Sequence, residues 1–201
     1  MKKYICFTLS AIFILLVLSG CGKNPLFSLL PEASSADTNP GSSFTLTSSG
    51  LSNGGIIAEK YAYTETGPNT SIPLSWSNAP SDTQSFALIM YDQNASDFVH
   101  WMATDIPASI SSFSEGESPL TTLQGREYTN MFGNYGYSGP HPPSGETHIY
   151  ILKIYALNVS TVNIDAGIPS RAQFLSAITP SIVGESNTLL GRYTVPYDLH
   201  Y

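Results

Sequence analysis

Residues 136–157 read GYSGPHPPSGETHIYILKIYAL and join a loop directly to a strand-like run. The first ten of these residues, Gly136–Gly145, contain three glycines and three prolines. Proline fixes φ and lacks a backbone donor, while glycine tolerates unusual φ values, so these ten residues cannot form a helix or a central strand. They predict a loop of largely fixed path.

The run that follows, His148–Leu157, is rich in β-branched and aromatic residues, which is typical of a strand. Side chains two residues apart on a strand point to the same face, so His148 and Tyr150 should lie side by side. A ring nitrogen and a phenolic hydroxyl together suit an anionic group such as phosphate or carboxylate. The stretch therefore predicts one wall of a binding pocket.

A second polar pair lies earlier in the chain, where Asp92 ends an apolar run and His100 follows shortly after it. Strand alternation places Met102 and Thr104 on the face of His100, and Trp101 on the opposite face. From the residues alone, the simpler interpretation of Asp92 is a turn residue at a strand end. That of His100 is a buried histidine whose hydrogen bonds are satisfied.

These segments resemble the phosphatidylethanolamine-binding protein family, and more closely its bacterial Raf kinase inhibitor-like branch. The resemblance runs from about Phe44 to Thr194. Five blocks in the family's order and spacing carry it: NTSIPLSW (69–76), DQNAS (92–96), HW (100–101), FGNYGY (132–137) and the Gly-Pro loop that ends in His148. It implies a mostly β fold, an antiparallel β-sandwich of this family's type with one or two short C-terminal helices.

The resemblance also implies that four side chains converge in a small ligand pocket: Asp92, His100, His148 and Tyr150. Asp92 would lie at the pocket mouth and fix the tautomer of one histidine, whose other ring nitrogen faces the ligand. We expect Gly139, Pro142 and Pro143 to shape the loop over the ligand, although a purely structural loop is the alternative. His141, between two prolines, is expected at the rim.

One family segment departs from the usual pattern. Asp-Pro-Asp-Ala-Pro appears here as Asp92-Gln93-Asn94-Ala95-Ser96, which keeps the leading acid and loses both prolines and the second acid. We expect a looser and less negative rim, so the ligand preference of relatives cannot simply be transferred to this chain.

The N-terminus has the pattern of a bacterial export signal. Two lysines precede the apolar run Tyr4–Leu18, and Leu18-Ser19-Gly20-Cys21 resembles a lipobox. A transmembrane anchor is the alternative, but this run is shorter than the roughly 20 residues that a span needs. We predict a lipoprotein signal peptide over 1–20, lipidation of Cys21, a flexible tether over 21–43 and the family domain over 44–201. The protein would be exported and lipid-anchored, at the outer membrane or periplasmic face in a cell with two membranes and at the surface in a cell with one.

Charge and cysteine content exclude several classes of function. The chain has 8 Lys and Arg against 15 Asp and Glu, and two of the lysines lie in the predicted signal peptide. The acidic mature chain is a poor partner for nucleic acid, which demands clustered basic residues. The two cysteines are Cys6 in the signal and Cys21, so the mature domain would lack disulfides, thiol catalysis and cysteine-bound metals.

No arrangement of nucleophile, base and oxyanion hole is recognised, and the glycine patterns of nucleotide-binding loops are missing. Asp92, His100 and His148 form a ligand set that some divalent metals accept, but neither His-Glu-x-x-His nor His-x-His spacing occurs. We therefore predict no metal site, no cofactor and no catalytic activity.

Strand-like runs near 44–48, 72–77, 85–91, 100–106 and 148–157 are separated by turn-forming clusters, a pattern that indicates a β-sandwich. The clear helix signal comes late. Ser170 and Gln173 have capping-box spacing and open a run that Pro180 closes. A second short helix is expected over Pro180–Glu185, before a last strand at Thr188–Thr194.

The leading functional hypothesis is a lipid-anchored module that binds a small anionic or phosphorylated molecule, by resemblance a phospholipid headgroup. A protein partner, such as a peptidase that the exposed loop inhibits, is the first alternative. The second is an enzyme that uses His100 or His148 as a general acid or base on a small substrate.

Overall fold

The computed structural model describes residues 43–64, 67–165 and 167–197. The predicted signal peptide over 1–20, the lipidation site Cys21 and the tether up to residue 42 lie outside the described residues. These assignments, and the outer bounds of the domain over 44–201, therefore remain predictions.

Most of the ordered secondary structure is β. In chain order, the strands of the described ranges are β1 (Thr45–Thr47), β2 (Gly55–Ile56), β3 (Leu74–Ser77), β4 (Ser85–Asp92), β5 (Phe98–Pro107), β6 (Ser112–Phe113), β7 (Arg126–Glu127), β8 (Thr147–Leu157), β9 (Ile182–Glu185) and β10 (Leu189–Thr194). One α-helix, α1 (Arg171–Ile178), and two 3-10 turns, Glu59–Tyr61 and Thr179–Ser181, complete the described elements. Within these ranges no helix could cross a bilayer.

The strands form two sheets. The larger has the order β2-β10-β8-β4-β5-β7, with β9 paired to the C-terminal end of β8, and the smaller has the order β1-β3-β6. The strand pairs are antiparallel, apart from the parallel contact of β2 with β10. Strands β4 and β8 at the centre of the larger sheet are long, whereas β2 and β7 at its edges have two residues each.

Strand β4 is buried on both faces, so its sequence is a continuous apolar run rather than an alternating one. Leu88 belongs to an apolar cluster that also contains Trp76 of the smaller sheet, and this cluster is the core between the two sheets. Its neighbour Ile89 belongs to a second cluster with Phe174 of α1, so the helix covers the outer face. The predicted antiparallel β-sandwich is confirmed.

The C-terminal helix begins where the capping box predicts. The Ser170 side chain accepts a hydrogen bond from the backbone N–H of Gln173, whose side chain accepts one from the backbone of Ser170. The second helix expected over Pro180–Glu185 does not form. Pro180 lies in a 3-10 turn, and Ile182–Glu185 is strand β9, because pairing with β8 satisfies its backbone groups.

Candidate functional site

Three strands bring the predicted polar residues to one end of the larger sheet. Asp92, the last residue of β4, pairs with Tyr150 of β8 on one side and with Phe98 of β5 on the other. His148 is two residues before Tyr150, and His100 two residues after Phe98. Three of the four predicted residues, Asp92, His100 and His148, line a cleft of about 200 Å³, whose other lining residues are Ala95, Phe98, Phe132, His141 and Pro143.

A β-bulge sets the direction of His100. Val99 and Trp101 are paired with consecutive residues of β4, which leaves His100 as the extra residue of β5. His100 therefore packs edge-on against Tyr150, with ring centroids 5.2 Å apart, and Tyr150 belongs to the same core cluster as Trp101. Met102 belongs to the cluster on the opposite face. The predicted alternation, with Met102 beside His100 and Trp101 opposite, was wrong because the bulge inverts the order of faces at this point.

His100 is held in one tautomer by the Gly-Pro loop. Its Nδ1 lies 2.8 Å from the carbonyl oxygen of Ser138 and 2.9 Å from that of Gly139. Carbonyl oxygens only accept hydrogen bonds, so Nδ1 carries the proton and Nε2 of the neutral ring is an acceptor. Burial lowers the pKa of His100 below its ordinary value, and the bonds to these carbonyls only partly oppose this. The ring is accordingly neutral.

Gly139 brings its carbonyl to His100 through a very close backbone approach. A Cβ at this position would lie 1.8 Å from the carbonyl oxygen of Tyr61, so any residue other than glycine would clash with the backbone there. The backbone N–H of Gly139 is also occupied, since it donates to Asn69 Oδ1 at 2.8 Å. Both backbone polar groups of Gly139 are therefore used, the carbonyl by His100 and the N–H by Asn69.

His148 has the opposite environment. Its Nδ1 lies 2.6 Å from Asp92 Oδ2, and its Nε2 lies 3.2 Å from Glu146 Oε2. Ionised carboxylates only accept, so both bonds require a proton on each ring nitrogen, which is the imidazolium form. Burial opposes that charge, but the hydrogen bonds to Asp92 and Glu146 outweigh it, and the pKa of His148 is raised.

Asp92 is buried, with 3% of its surface exposed, and both of its oxygens are engaged. While Oδ2 binds His148, Oδ1 accepts the backbone N–H of Asn94 at 2.8 Å. Asn94 Oδ1 in turn accepts the backbone N–H of Ile149 in β8, and Gln93 N–H donates to the carbonyl of Ile149. These bonds attach residues 93–94 to β8.

Tyr150 forms the floor beneath His100 and does not itself line the cleft. It is fully buried, and its hydroxyl makes no hydrogen bond within the described part of the chain. Burial, followed by the charge of Asp92, raises the pKa of Tyr150, so the hydroxyl keeps its proton. An unpartnered buried hydroxyl is costly, and a ligand or a water that reached it would relieve that cost.

Of the predicted site residues, Asp92, His100, Pro143 and His148 line the cleft, as does the predicted rim residue His141. Tyr150 lies below His100, and Gly139 contributes its carbonyl. Pro142 is buried in the loop outside the lining. All seven stay predictions as ligand contacts.

Sequence reasoning missed Glu146 and the aromatic walls Phe98 and Phe132. Glu146 had a usable signal, because it lies two residues before His148 and so shares its side of the chain. Phe98 carried the same signal on β5. Phe132 reaches the cleft from a loop, and its ring centroid lies 4.7 Å from that of Phe98 and 5.3 Å from that of His100. Nothing in the local pattern predicts that contact.

Among the described residues that line the cleft, His148 is the one whose carboxylate partners favour a positive charge. None of the Lys and Arg residues in the described ranges lines the cleft, and each has a partner elsewhere: Lys60 with Glu115, Arg126 with Asp105, Lys153 with Glu185, Arg171 with Asp97, and Arg192 with the Gly54 carbonyl. In the same ranges, no three His, Cys, Asp or Glu side chains are arranged to hold a metal ion.

Two features outside the cleft lack the chemistry of a site. A larger depression of about 660 Å³ lies beside β2 and β10. Its lining contains no histidine, and the guanidinium of its one arginine, Arg192, is already bonded to the carbonyl of Gly54. Residues 50–54 read GLSNG and match the Gly-x-Ser-x-Gly pattern of hydrolase nucleophiles, which our sequence analysis did not single out. Ser52 lies in an exposed turn between β1 and β2 rather than between a strand and a helix, so the context of a nucleophile elbow is missing.

Comparisons with known proteins agree with this architecture. The profile of the phosphatidylethanolamine-binding protein family matches residues 47–193. The UPF0098 protein YbhB of Escherichia coli is 36% identical over 110 residues, which cover 50% of this chain and 68% of YbhB. A Mycobacterium tuberculosis protein provisionally named lipoprotein LppC is 30% identical over 161 residues, 73% of this chain and 76% of that protein.

The crystal structure of E. coli YbcL, described as a member of the mammalian phosphatidylethanolamine-binding protein family, superposes with a TM-score of 0.69 at 26% identity. The match covers 77% of this chain and 99% of YbcL. The family's description names binding rather than a reaction. From its profile match, its relatives and its fold, the chain belongs to the phosphatidylethanolamine-binding protein family.

Proposed function

We propose that the cleft binds a small anionic or phosphorylated molecule of the size of a phospholipid headgroup, and that the protein does so as a lipid-anchored component of the bacterial envelope. The observation that carries this proposal is the asymmetric pair of histidines. His148 offers a charged donor and His100 a neutral acceptor across one cleft. A partly protonated phosphate, or any ligand with an acceptor oxygen beside a donor group, could accept a hydrogen bond from His148 and donate one to His100.

The size of the cleft supports a small ligand. Pockets for drug-sized molecules usually hold about 300 Å³ or more, and this cleft holds about 200 Å³. A headgroup fits this volume, whereas an acyl chain would have to remain outside. The aromatic walls Phe98 and Phe132 exclude water and so strengthen a charge-assisted hydrogen bond to His148.

Lipid anchoring rests on the lipobox-like sequence before Cys21, and the name of the relative LppC supports it. Expression in a bacterium with a lipoprotein pathway should place the wild-type chain in the membrane fraction. Cys21→Ser should release it or leave the uncleaved precursor, as mass spectrometry of the N-terminus would reveal. Membrane retention of a processed Cys21→Ser chain without lipid would contradict the proposal.

Headgroup binding is tested by the thermal stability of the full-length chain in a non-ionic detergent, with phosphoethanolamine, phosphate or acetate added. Ligands that bind the folded state raise its melting temperature by mass action. His148→Asn keeps a donor for Asp92 but removes Nε2 and the charge, so the stabilisation should be lost while the unliganded protein stays folded. A shift of equal size in wild type and His148→Asn would count against the site.

A further inference from the structure

Glu146 is delivered to the cleft by a tight turn. Its backbone N–H donates to the carbonyl of Pro143 at 3.0 Å, and Gly145 between them has φ 80°, as the third residue of a type II turn requires. The N–H of Gly145 donates to the carbonyl of Val195 at 2.7 Å, which attaches the turn to the strand end. The backbone of this turn therefore brings Glu146 beside His148, where its Oε2 lies 3.2 Å from Nε2.

The position it occupies is the one that a bound anion needs. His148 Nδ1 is committed to the buried Asp92, so Nε2 is its one remaining donor. The Glu146 side chain is 61% exposed, against 11% for His148, so it can turn into solvent without breaking any buried contact. Glu146 and an anionic ligand thus compete for the proton on Nε2 of His148.

We propose that Glu146 is an internal competitor of the ligand: its carboxylate occupies Nε2 of His148 and must leave before an anion can bind, which lowers affinity and disfavours dianions. This inference rests on the function proposed above and deepens it. With Asp92 and Glu146 ionised and His148 protonated, these three groups carry one net negative charge. A dianion would meet that charge directly, whereas a monoanion or zwitterion would meet it less strongly.

The groups that face His148 come from four directions. Asp92 lies at the end of β4, His100 on β5, His141 in the Gly-Pro loop, and Glu146 in the turn before β8. Asp92 and Glu146 favour the charged ring of His148, so removing Glu146 has two opposing effects on an anion. It frees Nε2 and removes a like charge, but it also makes His148 lose its proton at lower pH.

These opposing effects predict a pH signature. Calorimetric titration of the full-length chain with sulfate, which keeps its double charge from about pH 6 to pH 8, separates the protein's titration from that of the probe. Glu146→Gln and Glu146→Ala should bind sulfate about tenfold more tightly than wild type at pH 6, and less than about threefold more tightly at pH 8. Asp82→Asn is the matched control, since it removes the same charge from an exposed turn at the other end of β4 and should leave affinity unchanged.

Phosphoethanolamine is the second probe, because its ammonium group could contact Glu146 directly. The proposal requires the two Glu146 variants to gain less affinity for this zwitterion than for sulfate. Unchanged sulfate affinity would overturn it, and weaker phosphoethanolamine binding would overturn it in favour of Glu146 as a ligand contact. If wild type and the variants bind neither probe, the proposed function fails and the inference fails with it.

Discussion

The two walls of the cleft use the same residue type in opposite charge states. The inner wall is His100, which packs on Tyr150 and bonds to the carbonyls of Ser138 and Gly139, so this histidine has neutral acceptors and is buried. The outer wall, formed by Asp92, Glu146 and His148, gives its histidine two carboxylates and a route to solvent. The hydrogen-bond partners of each histidine, rather than its position on a strand, therefore decide which one is the donor and which the acceptor.

The inner wall should break most severely at Gly139. A Cβ there would lie 1.8 Å from the Tyr61 carbonyl oxygen and 2.8 Å from the Cα of Ala62, so backbone must move. We expect Gly139→Ala to lower the free energy of unfolding by about 3 kcal/mol or more, as overpacking against fixed atoms does. Chemical denaturation of the full-length chain measures this loss.

Gly167→Ala is the matched control for that substitution. A Cβ added at Gly167 would meet no atom within 4 Å, and the φ of this residue is not in the left-handed region. Its effect should stay within about 0.5 kcal/mol. Equal destabilisation by the two alanines would mean that the close approach of Gly139 to Tyr61 does not constrain the loop.

The outer wall should respond most strongly at Asp92. Asp92→Asn replaces a buried acceptor of His148 by a neutral amide, and the favoured charge of the ring is lost with it. We expect a destabilisation of about 1–3 kcal/mol at neutral pH and a loss of anion affinity of about tenfold. Denaturation and calorimetric titration with phosphoethanolamine measure the two effects.

In contrast to His148→Asn, the Asp92→Asn variant keeps the imidazole of His148. If Asp92→Asn binds the anion as tightly as wild type at neutral pH, the charge of His148 is not what holds the ligand.

NMR titration of each histidine measures the charge difference between the two walls. The pKa of His148 should lie above the ordinary value of about 6.5, because the carboxylates outweigh burial, and the pKa of His100 below it, because burial dominates. His148 thus contributes stability that is fully present below about pH 6.5 and lost as pH rises through its folded pKa. The contribution of His100 is present above about pH 6.5 and lost as pH falls toward its own folded pKa.

Measurements of the free energy of unfolding above and below about pH 6.5 test these two opposite pH dependences. His148→Asn should flatten the loss of stability on the alkaline side and leave the acid side unchanged. Flattening on the acid side instead would mean that the charge states of the two walls are reversed.

Local sequence rules account for much of the fold and for the outer wall. The spacing of His148 and Tyr150, and the position of Asp92 at a strand end, follow from the period of two and from turn chemistry. The helix start at Ser170 follows from its capping box. Each of these depends on neighbours a few residues away, which is the range that a sequence pattern reports.

The inner wall could not be derived in this way. The bulge that turns His100 toward Tyr150 is a property of the pairing between β4 and β5, and alternation along β5 alone gave the wrong face. Its carbonyl partners lie 38 and 39 residues further along the chain. The same reason explains the missing helix over Pro180–Glu185, where pairing with a distant strand prevailed over local preference.

The smallest effect on stability is expected at the floor of the cleft. Tyr150→Phe removes a buried hydroxyl that has no partner in the described structure, so the free energy of unfolding should change by less than about 0.5 kcal/mol or rise slightly. If a bound ligand reaches that hydroxyl, the same variant should lose affinity for phosphoethanolamine by about fivefold, the value of one hydrogen bond. Calorimetric titration therefore distinguishes a floor that contacts the ligand from one that only supports His100, because in the second case affinity stays at the wild-type value.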